Sequence, residues 1–253
     1  MLILDTGDAW TAITQPAHAW LAGQLARSWG AGDIAPPEPW ADVCLGVEQH
    51  DVAWAEYDRR PPLHAPSGRA ASFIEAPLRE RHVIWHDAPQ RVLAQSPWAA
   101  LLVSLHGTNI HTRYVSLEHL PPEEAEIVGA YLEDQRALQD RLIALIGTTR
   151  PAAERQADLL FALDALSLSL CHGWPERELP PVDGLAIRYL PTGEREATLD
   201  PWPFATPVVH GSLGARTLTD RFTDATALHA ALDGAPVEQR AYTLTRSADA
   251  RPA

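Results

Sequence analysis

The segment that most constrains the fold of this chain is an apolar stretch at residues 159–171, because it contains a carboxylate. The sequence LLFALDALSLSLC predicts a helix suited to a protein core, and Asp164 stands in its middle. An unpaired carboxylate in such surroundings costs free energy on the order of several kcal/mol. We therefore expect Asp164 to meet either a metal ion or hydrogen-bond donors from the backbone or an arginine.

Further segments have the apolar period of helices, and three of them place a histidine on or near the apolar face. Prolines in the first turn and glycines at the ends mark several of their limits. The three histidines are His18, His50 and His106, and Asp51 directly follows His50. The predicted helices span residues 14–30, 41–57, 96–110, 121–147 and 150–173.

Strand patterns dominate the two ends of the chain. Residues 1–13 predict a β-hairpin, and short strands separated by turns and one short helix follow from about residue 183. Residues 71–95 predict a mixture of loop and short helix. We expect a mainly α protein with a small antiparallel sheet, of the α+β class, in which the hairpin and the C-terminal strands can share one sheet. The expected parts are a helical domain with the hairpin (1–180) and a β-rich subdomain (181–253).

Composition narrows the classes of function. The formal net charge of −13 disfavours nucleic acid as a partner, and no apolar run is long enough to predict a membrane span. The N-terminus lacks the basic region of a signal peptide, and Cys44 and Cys171 are expected to be buried free thiols. These features favour the cytoplasm and are compatible with an oligomer. No phosphate-binding glycine loop, dinucleotide fingerprint, serine-hydrolase elbow or CxxC motif is present.

The histidines and aspartates on the helices are suited to metal binding. Imidazole and carboxylate ligands fit one or two divalent ions of Mn, Fe, Co, Ni or Mg, which activate water for hydrolysis. Each histidine also has a simpler interpretation as a hydrogen-bonded core residue. His111 is a candidate second-metal ligand or substrate contact, with a surface residue as the alternative. Arg113 is a candidate anion contact, and Glu48 is a candidate base or hydrogen-bond partner of a metal ligand. The metal-ligand candidates are His18, His50, Asp51, His106 and Asp164.

The order His18, His50-Asp51, Asp164 resembles the HD-domain superfamily of metal-dependent phosphohydrolases. The resemblance covers roughly residues 15–172 and implies an HD-like helical core with these four residues as metal ligands. The whole chain resembles an uncharacterised bacterial family, domain of unknown function 3891, through QPAHAWLAGQLA, LGVEQHDVAW, LLVSLHGTNI and LLFALDALSLSLC.

The favoured function is a metal-dependent hydrolase of a small phosphorylated or otherwise anionic metabolite. Two alternatives stay open. One is an HD-like oxygenase with two irons. The other is a non-catalytic ligand-binding or interaction protein with a relic site.

Overall fold

The structure, a computed structural model, describes residues 1–114 and 117–247. Its helices are α1 (Gln15–Ala26), α2 (Trp40–Gln49), α3 (Ala55–Arg59), α4 (Leu78–Leu93), α5 (Pro97–Tyr114), α6 (Pro122–Ile146), α7 (Arg150–His172) and α8 (Ala225–Gly234). Four of them, α2, α4, α6 and α7, pack around a central helix, α5, while α8 packs against the strand Val208–Leu218.

The strands form a seven-stranded sheet and a separate two-stranded ribbon within the described residues. The order in the large sheet is β1-β2-β8-β9-β7-β6-β5, and the ribbon pairs β3 with β4. The strands are β1 (Leu2–Asp5), β2 (Trp10–Ile13), β3 (Leu63–His64), β4 (Arg69–Ala70), β5 (Arg177–Glu178), β6 (Arg188–Gly193), β7 (Glu196–Asp200), β8 (Val208–Leu218) and β9 (Glu238–Thr245).

This architecture confirms the α+β class and the expectation that both ends of the chain share one sheet, since the hairpin β1–β2 pairs with β8. The expectation of a small, purely antiparallel sheet was wrong, because the sheet has seven strands and includes a parallel pair. Strand β9 enters between β8 and β7, pairing antiparallel with β8 and parallel with β7. The chain passes through α8 after β8 and then returns beside β8 in the opposite direction as β9. In this direction β9 runs parallel to its other neighbour, β7.

Local signals explain where the helices begin and end. The hydroxyl of Thr14 accepts the Ala17 amide at the start of α1, and Thr149 caps α7 in the same way. Helices α6 and α7 end at Gly147 and Gly173, whose left-handed backbone suits glycine.

Helix α5 forms the centre of the helical layer and packs against α2, α4, α6 and α7. Its residues 99–107 are all buried. Helix α1 lies between this layer and the sheet, where the Gln24 amide group hydrogen-bonds to the backbone of Ser212 on β8. Cys44 and Cys171 are buried and free, as the sequence predicted.

Two helix predictions were wrong in detail. The helix expected over residues 41–57 stops at Gln49, and a 3-10 turn at Val52–Trp54 separates it from α3. The break lies at His50-Asp51, where the backbone of Asp51 leaves the helical region and its carboxylate hydrogen-bonds to His18.

Residues 71–95 contain the full helix α4, which the sequence reading divided into loop and short helix. Its buried face includes His82 and Pro89, so the apolar period is weak in the sequence. The chain contains a second His-Asp dipeptide, His86-Asp87, and it lies on the exposed face of α4.

Among the described residues, no helix combines the length and the apolar character that crossing a bilayer requires.

Candidate metal centre

Four helical elements bring five of the predicted residues into one buried cluster. Ligand atoms of His18, His50 and Asp51 lie within 4.8 Å of one another, and so do those of His50, His106 and Asp164. We call these five residues the metal cluster. Two ligands on one ion are about 3–4 Å apart when each bond is about 2.1 Å long, so the two triads need little contraction to bind an ion.

His50 belongs to both triads. Its Nδ1–H donates to the Val47 carbonyl at 2.7 Å, which leaves Nε2 as the ligand atom. Nε2 has no hydrogen-bond partner and lies 3.6 Å from Asp51 Oδ2 and 3.5 Å from Asp164 Oδ1. Burial lowers the pKa of the imidazole, but the two carboxylates outweigh burial and raise the pKa to about 9. The space between these carboxylates therefore favours a positive charge, whether a proton or a metal ion.

His18 is fixed on both sides of its ring. Nδ1 lies 2.9 Å from the hydroxyl of Ser167, and that hydroxyl donates to the Asp164 carbonyl at 2.9 Å. A carboxylate only accepts, so His18 Nε2–H donates to Asp51 Oδ2 at 2.8 Å. His18 is thereby held between Ser167 on its Nδ1 side and Asp51 on its Nε2 side.

The two carboxylates are held in their ionised form. Burial raises the pKa of Asp51, but His50 and His18 outweigh it, so the pKa lies below its usual range. The pKa of Asp164 is also lowered, because His50 and the neighbouring histidines outweigh the effect of burial. Once the imidazoles are neutral, as metal binding requires, these two ionised carboxylates carry the charge that a divalent cation neutralises.

His106 contributes a third imidazole from α5. Its ring centroid lies 4.7 Å from that of His50, and its Nδ1 has no hydrogen-bond partner. Burial and the positive charge of His50 lower the pKa of His106 to about 4, so this ring is neutral and offers a lone pair. An unpartnered buried nitrogen of this kind is consistent with a metal ligand.

Asp164 gives the cluster its contact with solvent. Its side chain is 15% exposed, against 6% for Asp51 and 1% for His18. The predicted buried carboxylate is therefore partly open to solvent and meets histidines rather than arginines. A small ligand would reach the metal cluster from this side.

The family assignment covers this whole region. The profile of a family described as "Protein of unknown function (DUF3891)" matches residues 1–220. The chain belongs to the DUF3891 family. Searches of curated proteins and of solved structures found no significant match. The match confirms the resemblance to DUF3891 and includes all five cluster residues, but the description of the family names no activity.

Three predicted site residues of this DUF3891 protein lie outside the metal cluster. Glu48 projects from α2 and forms an ion pair with Arg27. Arg113 forms an ion pair with Asp158, and its guanidinium lies 4.4 Å from the ring centroid of Phe161.

His111 points from α5 toward α4 and α6, where His82 is 4.7 Å away between ring centroids. The proposed roles of Glu48, Arg113 and His111 stay predictions.

Sequence reasoning missed Ser167 and His82. Ser167 stands three residues after Asp164 on the same helix, a spacing that places both side chains on one face. His82 stands three residues before Trp85, and this pair marks the buried face of α4. Spacing alone gave no indication of which other helices these residues would meet.

Proposed function

We propose that the metal cluster binds one divalent metal ion and that the protein is a metal-dependent hydrolase of a small phosphorylated or otherwise anionic metabolite. The observation that carries this proposal is the pair of buried imidazole nitrogens without partners, His50 Nε2 and His106 Nδ1, beside two ionised carboxylates. The order His18, His50-Asp51, Asp164 agrees with the ligand order of HD-type phosphohydrolases. The donor set of three imidazoles and two carboxylates suits Mn, Fe, Co, Ni or Mg.

The geometry favours one ion over two. Both triads include His50, and its Nδ1 is engaged with the Val47 carbonyl. His50 therefore offers a single ligand atom, and one nitrogen does not bridge two ions. The triads describe overlapping parts of one coordination sphere, which supports hydrolysis over the two-iron oxygenase alternative.

A bound divalent ion would supply an activated water molecule and would polarise a phosphoryl group. The protein's own residues prepare that chemistry. Asp51 and Asp164 provide two negative charges, Val47 orients His50, and Ser167 orients His18. Partial exposure places Asp164 on the side from which water and substrate approach, while the other ligands stay enclosed.

Protons compete with the metal in this site. The metal-free cluster holds a proton between His18 and Asp51, and the carboxylates favour a second one on His50. A metal ion has to displace these protons, because ligating imidazoles must be neutral at the bound nitrogen. Binding should therefore release protons into solution and should tighten as the pH rises.

The test is the metal content of untagged protein purified without chelators, compared between two aspartate variants of α7. Asp164→Ala removes a cluster carboxylate, whereas Asp158→Ala removes a partly exposed carboxylate six residues earlier that pairs with Arg113. We expect about one equivalent of divalent metal in the wild type and in Asp158→Ala, and essentially none in Asp164→Ala. Elemental analysis gives the stoichiometry.

Activity is then measured as phosphate or alcohol release from a panel of phosphate monoesters and diesters. Hydrolysis should follow metal content and be lost in Asp164→Ala. Absence of stoichiometric metal, even after Mn²⁺ or Fe²⁺ is added, would refute the proposal. Two irons per chain with an optical signature would instead support the oxygenase alternative.

A further inference from the structure

A second group of buried polar side chains lies on the other side of α5. The imidazoles of His82 on α4 and His111 on α5 have ring centroids 4.7 Å apart. The ring of Tyr131 on α6 lies 4.9 Å from His111 and 5.5 Å from His82, and Trp85 lies 5.0 Å from His111. All four residues are at least nine-tenths buried. We call these four residues the His82–His111 cluster.

Both imidazoles are oriented by a hydrogen bond from Nδ1–H to a backbone carbonyl four residues earlier. Nδ1–H of His82 donates to the Leu78 carbonyl at 2.8 Å, and Nδ1–H of His111 donates to the Gly107 carbonyl at 2.7 Å. Each Nε2 therefore carries a free lone pair, as His50 Nε2 does in the metal cluster. Metal-bound histidines commonly use such a backbone carbonyl to orient the ring.

Several polar atoms of the His82–His111 cluster have no hydrogen-bond partner within the described residues. They are His82 Nε2, His111 Nε2, the Tyr131 hydroxyl and Trp85 Nε1. Each such atom gives up its hydrogen bonds to water on burial without gaining a partner, which is unfavourable. The hydroxyl can donate and the imidazoles can accept, yet they form no direct hydrogen bond. One small occupant among them would satisfy several of these atoms together.

We propose that His82 and His111 bind a transition-metal ion of the Zn²⁺ type through their Nε2 atoms, with the Tyr131 hydroxyl as an oxygen ligand or as the partner of a metal-bound water. Imidazole nitrogen is a preferred ligand of such ions. Gly107 admits the hydroxyl to this position, since a Cβ on this residue would overlap it. The His82–His111 cluster is separate from the metal cluster.

The separation follows from the helix geometry. His106 and His111 are five residues apart on α5, which corresponds to a rotation of about 140°. His106 faces His50 and Phe161, while His111 faces α4 and α6. Loss of one site therefore need not disturb the other.

A groove of about 980 Å³ gives access to the His82–His111 cluster, because His82 and Tyr131 both line it. Its rim includes four carboxylates, at Glu56, Glu80, Asp87 and Asp134. Two rim arginines are already paired with carboxylates, Arg79 with Glu123 and Arg91 with Asp87. The groove thus provides an electrostatically acceptable route for a cation.

One positive group opposes the bound ion. Arg81 faces the His82–His111 cluster with its guanidinium 6.0 Å from the ring centroid of Trp85, and its charge disfavours protonation of both imidazoles. Glu124 offsets this charge in part. Two neutral nitrogen ligands and one oxygen must therefore outweigh Arg81, which favours an ion with high affinity for imidazole.

The test is a Zn²⁺ titration of chelator-treated full-length protein against a chromophoric competitor. We expect about two equivalents in the wild type, about one in Asp164→Ala, about one in His111→Gln, and none in the double variant. Tyr131→Phe should weaken the second equivalent by about 10- to 100-fold. The matched control is His86→Gln, which changes an exposed histidine one turn along α4 from His82 and should keep both equivalents.

A second measurement does not depend on how His111→Gln folds. Long-range ¹H–¹⁵N spectra of Asp164→Ala should show the Nε2 resonances of His82 and His111 moving with one Zn²⁺ equivalent. No such movement, or a single wild-type equivalent that persists in His111→Gln, would overturn the proposal. Zinc that is lost in His111→Gln but not in Asp164→Ala would support this site while refuting the metal cluster.

Discussion

Replacing Ser167 by alanine tests how His18 is held in the metal cluster. The Ser167 hydroxyl lies 2.9 Å from His18 Nδ1 and donates to the Asp164 carbonyl at 2.9 Å. The variant leaves the fully buried Nδ1 without a partner, which costs about 1–3 kcal/mol in free energy of unfolding. It also removes the group that orients a ligand, which costs about 10- to 100-fold in metal affinity.

Ser169→Ala is a closely matched control. Ser169 is equally buried, lies two residues further along α7, and donates its hydroxyl to the Ala165 carbonyl at 2.7 Å. Both variants lose a bond to a helix carbonyl and gain the helix propensity of alanine, about 0.5 kcal/mol. Only Ser167→Ala loses the contact with His18, so the difference between the two variants reports that contact.

Two assays measure the two effects. Urea denaturation of metal-free protein gives the free energies of unfolding, provided that the m values agree. Competition with a chelator gives the metal affinities. We expect both the free energy of unfolding and the metal affinity to be lower for Ser167→Ala than for Ser169→Ala. Equal stabilities together with equal affinities would refute the reasoning, because His18 would then gain nothing from Ser167.

Two further predictions concern the His82–His111 cluster. Burial lowers the pKa of His111 to about 4, so the metal-free protein should lose stability as the pH falls from about 6.5 toward 4, where only the unfolded chain gains a proton. His111→Gln should remove on the order of 2 kcal/mol of this dependence in denaturation curves, and the exposed His86→Gln should leave it unchanged. Gly107→Ala should destabilise the protein by about 1–3 kcal/mol because the new Cβ overlaps the Tyr131 hydroxyl, and Tyr131→Phe in the same chain should relieve much of that loss. Gly129→Ala, where a Cβ meets nothing within 4 Å, should instead add up to about 1 kcal/mol, and a loss as large as that of Gly107→Ala would contradict the steric argument.

Local signals in the sequence predicted much of the helical layer. Helix α6 spans Pro122–Ile146 and α7 spans Arg150–His172, close to the expected limits, because proline, threonine and glycine mark their ends. Helix α4 was missed for a physical reason. Its buried face carries His82, Trp85 and Pro89, and the pattern of apolar residues does not recognise a buried histidine or a proline within a helix.

The sequence also predicted the candidate site only in part. An apolar helix face identified His18, His50, His106 and Asp164 as side chains directed into the interior, and the structure brings them together with Asp51. The partners of these side chains could not be predicted from the sequence, because the Ser167–His18 contact joins residues 149 positions apart. His111 lay beyond the helix predicted over residues 96–110, but α5 extends to Tyr114, and a rotation of about 140° from His106 directs His111 to another set of neighbours.

The sequence by itself determined the α+β class, most of the helices, the pairing of the two chain ends in one sheet, and the family. These properties depend on residue periodicity and on helix capping, both of which involve residues that are close together in the sequence. Only the tertiary structure decided that Asp51 leaves the helix after His50, that one nitrogen serves both triads, and that His82 meets His111. Those properties depend on which faces of distant helices pack together, because distances of a few ångströms between side chains are set by helix rotation and crossing rather than by any local pattern.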